Sequence, residues 1–94
     1  MIIRYTDEFL RQYRKANVRI RNALKAQLKV LEQNPTDARL NVHALRGPYA
    51  GCSSFNVTAD WRAIFRIVRH PRLVPVVHLL ALGTHRQLYR DTEA

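Results

Sequence analysis

Four histidines, seven carboxylates and sixteen Lys or Arg side chains are the groups in this 94-residue chain that can move protons or hold anions. Two of the histidines sit where a scaffold can aim them. His43 lies in a polar loop, and His85 follows an apolar strand in Gly83-Thr84-His85. Loops and strand ends held by a rigid frame are where ligand-facing side chains concentrate. His70 adjoins Pro71 in a turn and reads as a surface residue, whereas His78, inside VPVVHLLAL, reads as a hydrogen-bonded core residue. Asp60 stands at a turn between two strands, and Arg46 and Arg62 lie within a few residues of these candidates. The set combines proton-transfer groups, a carboxylate and guanidinium groups. Cleavage of RNA through attack of the 2′-hydroxyl on the adjacent phosphate needs those types. A base takes the 2′ proton, an acid protonates the departing 5′ oxygen, and cations hold the charge of the pentavalent phosphate. Imidazole suits both proton steps because it titrates near neutrality. This chemistry requires no metal and no cofactor, and none is expected, since the chain carries no H-x-x-x-H, H-E-x-x-H or Cys/His cluster. By spacing alone the set is not specific, because two loop histidines and an aspartate occur in many small proteins.

These groups need a frame. Residues 2–5 (IIRY) read as a short strand. Thr6 reads as a helix N-cap, with Asp7 and Glu8 in the first turn, where carboxylates complement the helix dipole. Phe9, Tyr13 and Ala16 keep helical spacing, Asn17 interrupts it, and Ile20, Leu24, Leu28 and Leu31 resume it until Asn34-Pro35. The spacing predicts a helical hairpin, or one bent helix, over about residues 6–33 with a break near Asn17. After a polar link with turns at Gly47-Pro48 and Gly51, the period changes from about four to two. Phe55 and Val57 alternate with polar residues in one strand, and Trp61, Ala63, Phe65 and Ile67 recur in a second. Residues 74–82 form an apolar run suited to a central strand covered on both faces, with Pro75 near its start and Gly83 at its end. The expected class is α+β: an N-terminal strand and a helical hairpin packed on a mostly antiparallel four-stranded sheet, in one domain over residues 1–94.

Charge and composition narrow the function classes. Hydrophobic residues make up 47%, which excludes wholesale disorder. No apolar run approaches the ~18 residues that span a bilayer, so no membrane association is expected. The start MIIRYTDEFL lacks the features of a signal peptide, and the lone Cys52 fits a reducing compartment, so the expected location is cytoplasmic. Sixteen basic against seven acidic residues leave +9 at neutral pH. Such a chain is drawn to polyanions: nucleic acid, the ribosome, or an acidic protein. Arg21, Lys25 and Lys29 repeat at every fourth residue on the second helix. Like charges at that spacing oppose helix stability. The stripe is either an RNA-facing surface or a solvated face.

Three stretches carry a resemblance: His43-Ala44-Leu45-Arg46-Gly47, Asp60-Trp61-Arg62, and Gly83-Thr84-His85-Arg86-Gln87-Leu88-Tyr89. Together they resemble the RelE/ParE superfamily of bacterial toxins, and most closely the YafQ-type branch of ribosome-dependent mRNA interferases. That branch is marked by an H-P-L-x-G loop, an Asp-Trp before a strand, and a terminal G-T-H-x-x-L-[FY]. The resemblance covers essentially the whole chain and implies a RelE-like fold. It further implies a type II toxin that cleaves mRNA in the ribosomal A site beside the 16S rRNA of the small subunit, and that is neutralised by a cognate acidic antitoxin. Carried over, the site would gather His43, Asp60, His85 and Tyr89 around the scissile phosphate, with Trp61 beside them. His85 and Asp60 would lead the proton transfer with His43 assisting, Arg46 and Arg62 would hold phosphates, and Tyr89 would position the substrate. Lys25 and Lys29 are further RNA-binding candidates. Two positions depart from the pattern. Ala44 replaces the loop proline, and Asn56 stands where the branch has a second histidine; asparagine can hydrogen-bond RNA but cannot shuttle a proton. A gyrase-poisoning toxin of the ParE branch and a catalytically degenerate binding module are the alternatives. Residues 84–94 are expected to be a mobile end that an antitoxin displaces.

Overall fold

The computed structural model describes residues 1–89. Strand β1 (Ile2–Tyr5) runs straight into helix α1 (Asp7–Lys15) through Thr6. The Thr6 hydroxyl accepts the Phe9 N–H at 3.1 Å, as an N-cap does, and donates to the Leu80 carbonyl at 3.1 Å. One side chain therefore starts the helix and ties it to the sheet. Asn17 is the predicted break. It caps helix α2 (Val18–Gln33) by accepting the Ile20 N–H at 3.0 Å, so the two helices form a hairpin. Helix α2 buries Ile20, Leu24, Leu28 and Leu31, the register expected from the sequence.

The sheet has five strands in the order β1-β5-β4-β3-β2. The extra strand is β2 (His43–Ala44), two residues within the polar link, paired antiparallel with β3 (Ser53–Asn56). Pairing this short leaves no periodic signal, which is why four strands were expected. Strands β4 (Trp61–His70) and β5 (Leu73–Thr84) form a long hairpin around Pro71-Arg72. Gly83 lies inside β5 rather than ending it. Among the described residues only β1 and β5 pair in parallel; β5 lies between β1 and β4, an interior strand as its apolar run predicts.

Alternation assigns the two faces of the sheet. Phe55, Ala63, Phe65, Val77 and Leu79 meet Phe9, Ile20, Leu24 and Leu31 beneath the helices. Each of the larger of these side chains, fully buried, contributes about 1.5–3 kcal/mol. The opposite face is only partly covered. There Leu45, Ile64 and Ala81 lie under Leu88 and Tyr89 of helix α3 (His85–Tyr89). The expected mobile segment, residues 84–94, is described only as far as Tyr89. Residues 85–89 form a helix docked by two buried side chains, and residues 90–94 lie outside the described residues. His78 also departs from its expected core role. It is half-buried on the open face, in a lateral row between Arg4 and Arg66, because covering elements occupy only one face of β5 there.

Candidate active site

At the end of the sheet that carries α3, the open face holds a cavity of about 130 Å³ lined by His43, Leu45, Ser54, Arg62, His85 and Tyr89. Four elements and the loop after β2 supply these side chains. His43 pairs across the ladder with Ser54, and Ser54 with Ile64, so the three share one face. Arg62 sits one step along that face, paired with Gly83. His85 and Tyr89 are four residues apart on α3 and so project from the same side. Their rings meet edge to face with centroids 4.7 Å apart.

The cavity is held from behind. Arg62 donates from one terminal nitrogen to the carbonyls of Ala59 (2.8 Å) and Thr58 (3.1 Å) in the β3–β4 turn. Its remaining N–H groups are left for an anion. The His85 N–H donates to the Asp60 carbonyl at 2.8 Å, which fixes the start of α3 on the same turn. Tyr89 is 6% exposed, and its hydroxyl is buried without a hydrogen-bond partner. Burial pushes the phenol's pKa above its ordinary value. The nearby Ser54 hydroxyl and Arg62 guanidinium favour the phenolate by less, so Tyr89 remains a proton donor at neutral pH. A buried hydroxyl without a hydrogen-bond partner, on a residue that lines a cavity, is unusual in a folded protein and calls for an explanation.

Of the candidates read from the sequence, His43, His85, Arg62 and Tyr89 converge here. Asp60 adjoins them through its backbone. Its side chain is exposed at the turn and does not line the cavity. Arg46 is exposed in the loop three residues after His43. Asn56 pairs with Arg62 across β3 and β4. Its carbonyl accepts from Gln27 at 2.8 Å, while its buried side-chain Oδ1 has no partner. Trp61 points the other way, against the helical layer. Lys25 and Lys29 are exposed on α2, in that same layer, and do not line the cavity. Ser54 and Leu45 were not anticipated, because their role follows from a ladder register that a two-residue strand does not announce. Ala44 replaces the expected proline but pairs with Ser53, so the ladder holds this segment where a ring would have.

A family model described as a bacterial toxin of type II toxin–antitoxin systems, YafQ, matches residues 1–90. The chain belongs to the YafQ toxin family. Among solved structures, YafQ from E. coli strain BL21(DE3) is similar at 24% identity and a TM-score of 0.76, covering 93% of this chain and 96% of that one. A YoeB/ParE toxin from Agrobacterium tumefaciens is similar at 17% identity and a TM-score of 0.75, covering 90% and 99%. The E. coli DinJ–YafQ toxin–antitoxin complex matches at 24% identity and a TM-score of 0.74, covering 93% and 94%. Among curated proteins, none matches the chain by sequence. The α+β architecture of this YafQ-family chain is therefore that of RelE-like toxins. Among the described residues, no helix is long and apolar enough to cross a membrane.

Proposed function

We propose that this YafQ-family toxin is a cytoplasmic, metal-independent endoribonuclease that cuts mRNA in the ribosomal A site and so arrests translation. One imidazole takes the 2′ proton, and the attacked phosphate carries the developing charge against the free N–H groups of Arg62 and the Tyr89 hydroxyl. The second imidazole protonates the departing 5′ oxygen. His43 and His85 form the leading pair, and Asp60 supports His85 through its backbone carbonyl. This changes the emphasis of the sequence reading, which led with His85 and Asp60. The buried acceptor of Asn56 suits a ribose hydroxyl, which can donate to it. Arg46 holds a flanking phosphate, and Lys25 and Lys29, on the opposite side of the sheet, contact 16S rRNA. The excess of nine positive charges favours association with an acidic antitoxin, and the E. coli DinJ–YafQ structure is a toxin–antitoxin complex.

The observation that carries this reading is the convergence of two imidazoles, a turn-braced guanidinium and an unpartnered phenol on one small cavity. The test is His43→Ala and His85→Ala on translating ribosomes, with cut sites mapped by primer extension. Each should lower the cleavage rate by about 10²- to 10⁴-fold, the usual contribution of a general acid or base. Cleavage by both variants at the wild-type rate refutes the assignment. Growth arrest with intact mRNA and damaged DNA would move the chain to the gyrase-poisoning alternative.

A further inference from the structure

We propose that a second hollow, on the other side of α3, receives a nucleobase next to the cleaved phosphodiester and selects bases that carry a keto rather than an amino group at purine C6 or pyrimidine C4. The inference rests on the endoribonuclease reading and adds to it a substrate preference. The hollow is about 400 Å³, a size suited to a small flat ligand. Trp61, Leu82 and Leu88 form its apolar walls. Trp61 is only partly buried, so its indole offers a face on which a base can stack.

Its polar side chains have unused donors. Gln12 of α1 accepts the Leu82 N–H on its Oε1 at 2.7 Å. Gln87 of α3 accepts the Thr84 N–H on its Oε1 at 2.9 Å. A backbone N–H can bond only to the oxygen of a carboxamide, so the orientation of both amides is dictated by their partners. Both NH₂ groups are left over, and neither donates a hydrogen bond among the described residues. Lys15, which also lines the hollow, adds an ammonium and forms no ion pair among the described residues. Guanine offers O6 and N7 as acceptors and uracil offers its carbonyl oxygens, whereas adenine and cytosine put an amino group at the corresponding edge. Three donors therefore welcome a keto base and leave an amino base facing like groups. The flat apolar walls suit a base better than a phosphate.

The placement links this hollow to the cavity. His85 and Tyr89 line the cavity and Gln87 lines the hollow, while Leu88, packed in the open-face cluster, also reaches the hollow. Trp61 and Arg62 are consecutive in β4 and point to opposite faces, with Cα atoms about 3.8 Å apart. An RNA strand crossing the exposed turn at Ala59 and Asp60 can leave its phosphate against Arg62 and turn the neighbouring base onto Trp61.

The experiment uses the full chain on translating ribosomes and a reporter mRNA library with all four bases on each side of the cut, with cleaved ends sequenced. The wild type should favour guanine and uracil over adenine and cytosine by about tenfold at one flanking position, the discrimination of a good polar base contact. Gln12→Glu combined with Gln87→Glu keeps an oxygen for the Leu82 and Thr84 N–H groups and replaces both donors with acceptors. It should abolish or invert the ratio. Lys15→Ala, at an exposed helical position, should reduce the ratio about threefold and serves if the double variant does not fold. Trp61→Ala should weaken cleavage of all substrates by about 10- to 100-fold, reflecting the lost stack. No wild-type base preference, or a preference that both sets of variants leave unchanged, overturns this inference alone. An equal loss for all four bases in the glutamate variant, as a phosphate site would give, also overturns it. So does altered antitoxin affinity with an unaltered base ratio. Absence of any wild-type cleavage overturns both this inference and the reading beneath it.

Discussion

Tyr89→Phe should make the protein more stable and less active at once. The ring is buried and its hydroxyl has no hydrogen-bond partner. A buried hydroxyl left unpaired costs about 1–3 kcal/mol. Removal of the phenol oxygen should therefore stabilise the fold by about 1 kcal/mol while the ring keeps its packing. For a domain of this size, 1 kcal/mol raises Tm by about 4–8 °C. Thermal unfolding at neutral pH measures this directly. The same substitution removes a donor from the proposed phosphate site. A hydrogen bond to a charged group contributes about 1.5–3 kcal/mol, so cleavage should fall about 10- to 100-fold.

The pH dependence gives a second reading of the same variant. Burial raises the Tyr89 pKa above 10.0 in the folded state. Its contribution to stability is whole below pH 10.0 and is lost as pH rises above that value, because the unfolded phenol ionises first. The phenylalanine variant lacks this loss, so its Tm advantage should widen in strong alkali. A Tm below wild type would show that the hydroxyl is satisfied in the folded protein. A higher Tm with full cleavage activity would show that it is unpaired but does not serve the substrate.

Other substitutions test the frame. Asn17→Ala removes the cap that accepts the Ile20 N–H and should cost about 1 kcal/mol in urea unfolding, with m unchanged. An unchanged midpoint would mean that the hairpin break does not depend on this cap. Asp37 accepts three hydrogen bonds from Arg39, two from its side chain and one from its backbone. These lower its pKa from 3.8 to about 2, so its contribution is present above pH 3.8 and is lost as pH falls toward 2. Asp37→Asn should therefore flatten the acid limb of a Tm-versus-pH curve over that interval. An acid limb identical to wild type would refute the linkage.

The elements that were legible in the sequence are those whose signal is local. Thr6 and Asn17 announce helix starts because a short polar side chain outcompetes solvent for an N–H three residues on. The four-residue rhythm from Ile20 to Leu31 states which face of α2 is buried. Convergence of His43 with His85 was expected only through the family likeness, since a ladder and a terminal helix bring together residues far apart in sequence. Strand β2 was not legible, because two residues cannot show a period of two. The direction of Trp61 is written in its alternation with Arg62; the family likeness sets it beside the candidate site, and its side chain packs toward the helical layer. His78 was misread for a related reason. An apolar run announces burial of a strand, but one face of β5 is shielded by helices and the other is only partly covered.

The turn from 57 to 60 explains how so small a protein can hold a preorganised site. Its backbone is closed by the Val57 N–H on the Trp61 carbonyl at 2.8 Å and by the Trp61 N–H on the Thr58 hydroxyl at 3.1 Å. The carbonyls of Thr58, Ala59 and Asp60 take donors from other elements. Ala59 and Thr58 take Arg62, and Asp60 takes the first N–H of α3. The Arg62 guanidinium and the backbone that carries the His85 ring, from different elements, are thus tied to one short segment, and a guanidinium braced in this way needs no reorientation during the proposed reaction. The next residue of β4 toward the turn carries the indole to the opposite face. The proposed phosphate site and the proposed base site are therefore two sides of one turn. A change in turn geometry should reach both, whereas a change in a single side chain should reach only one.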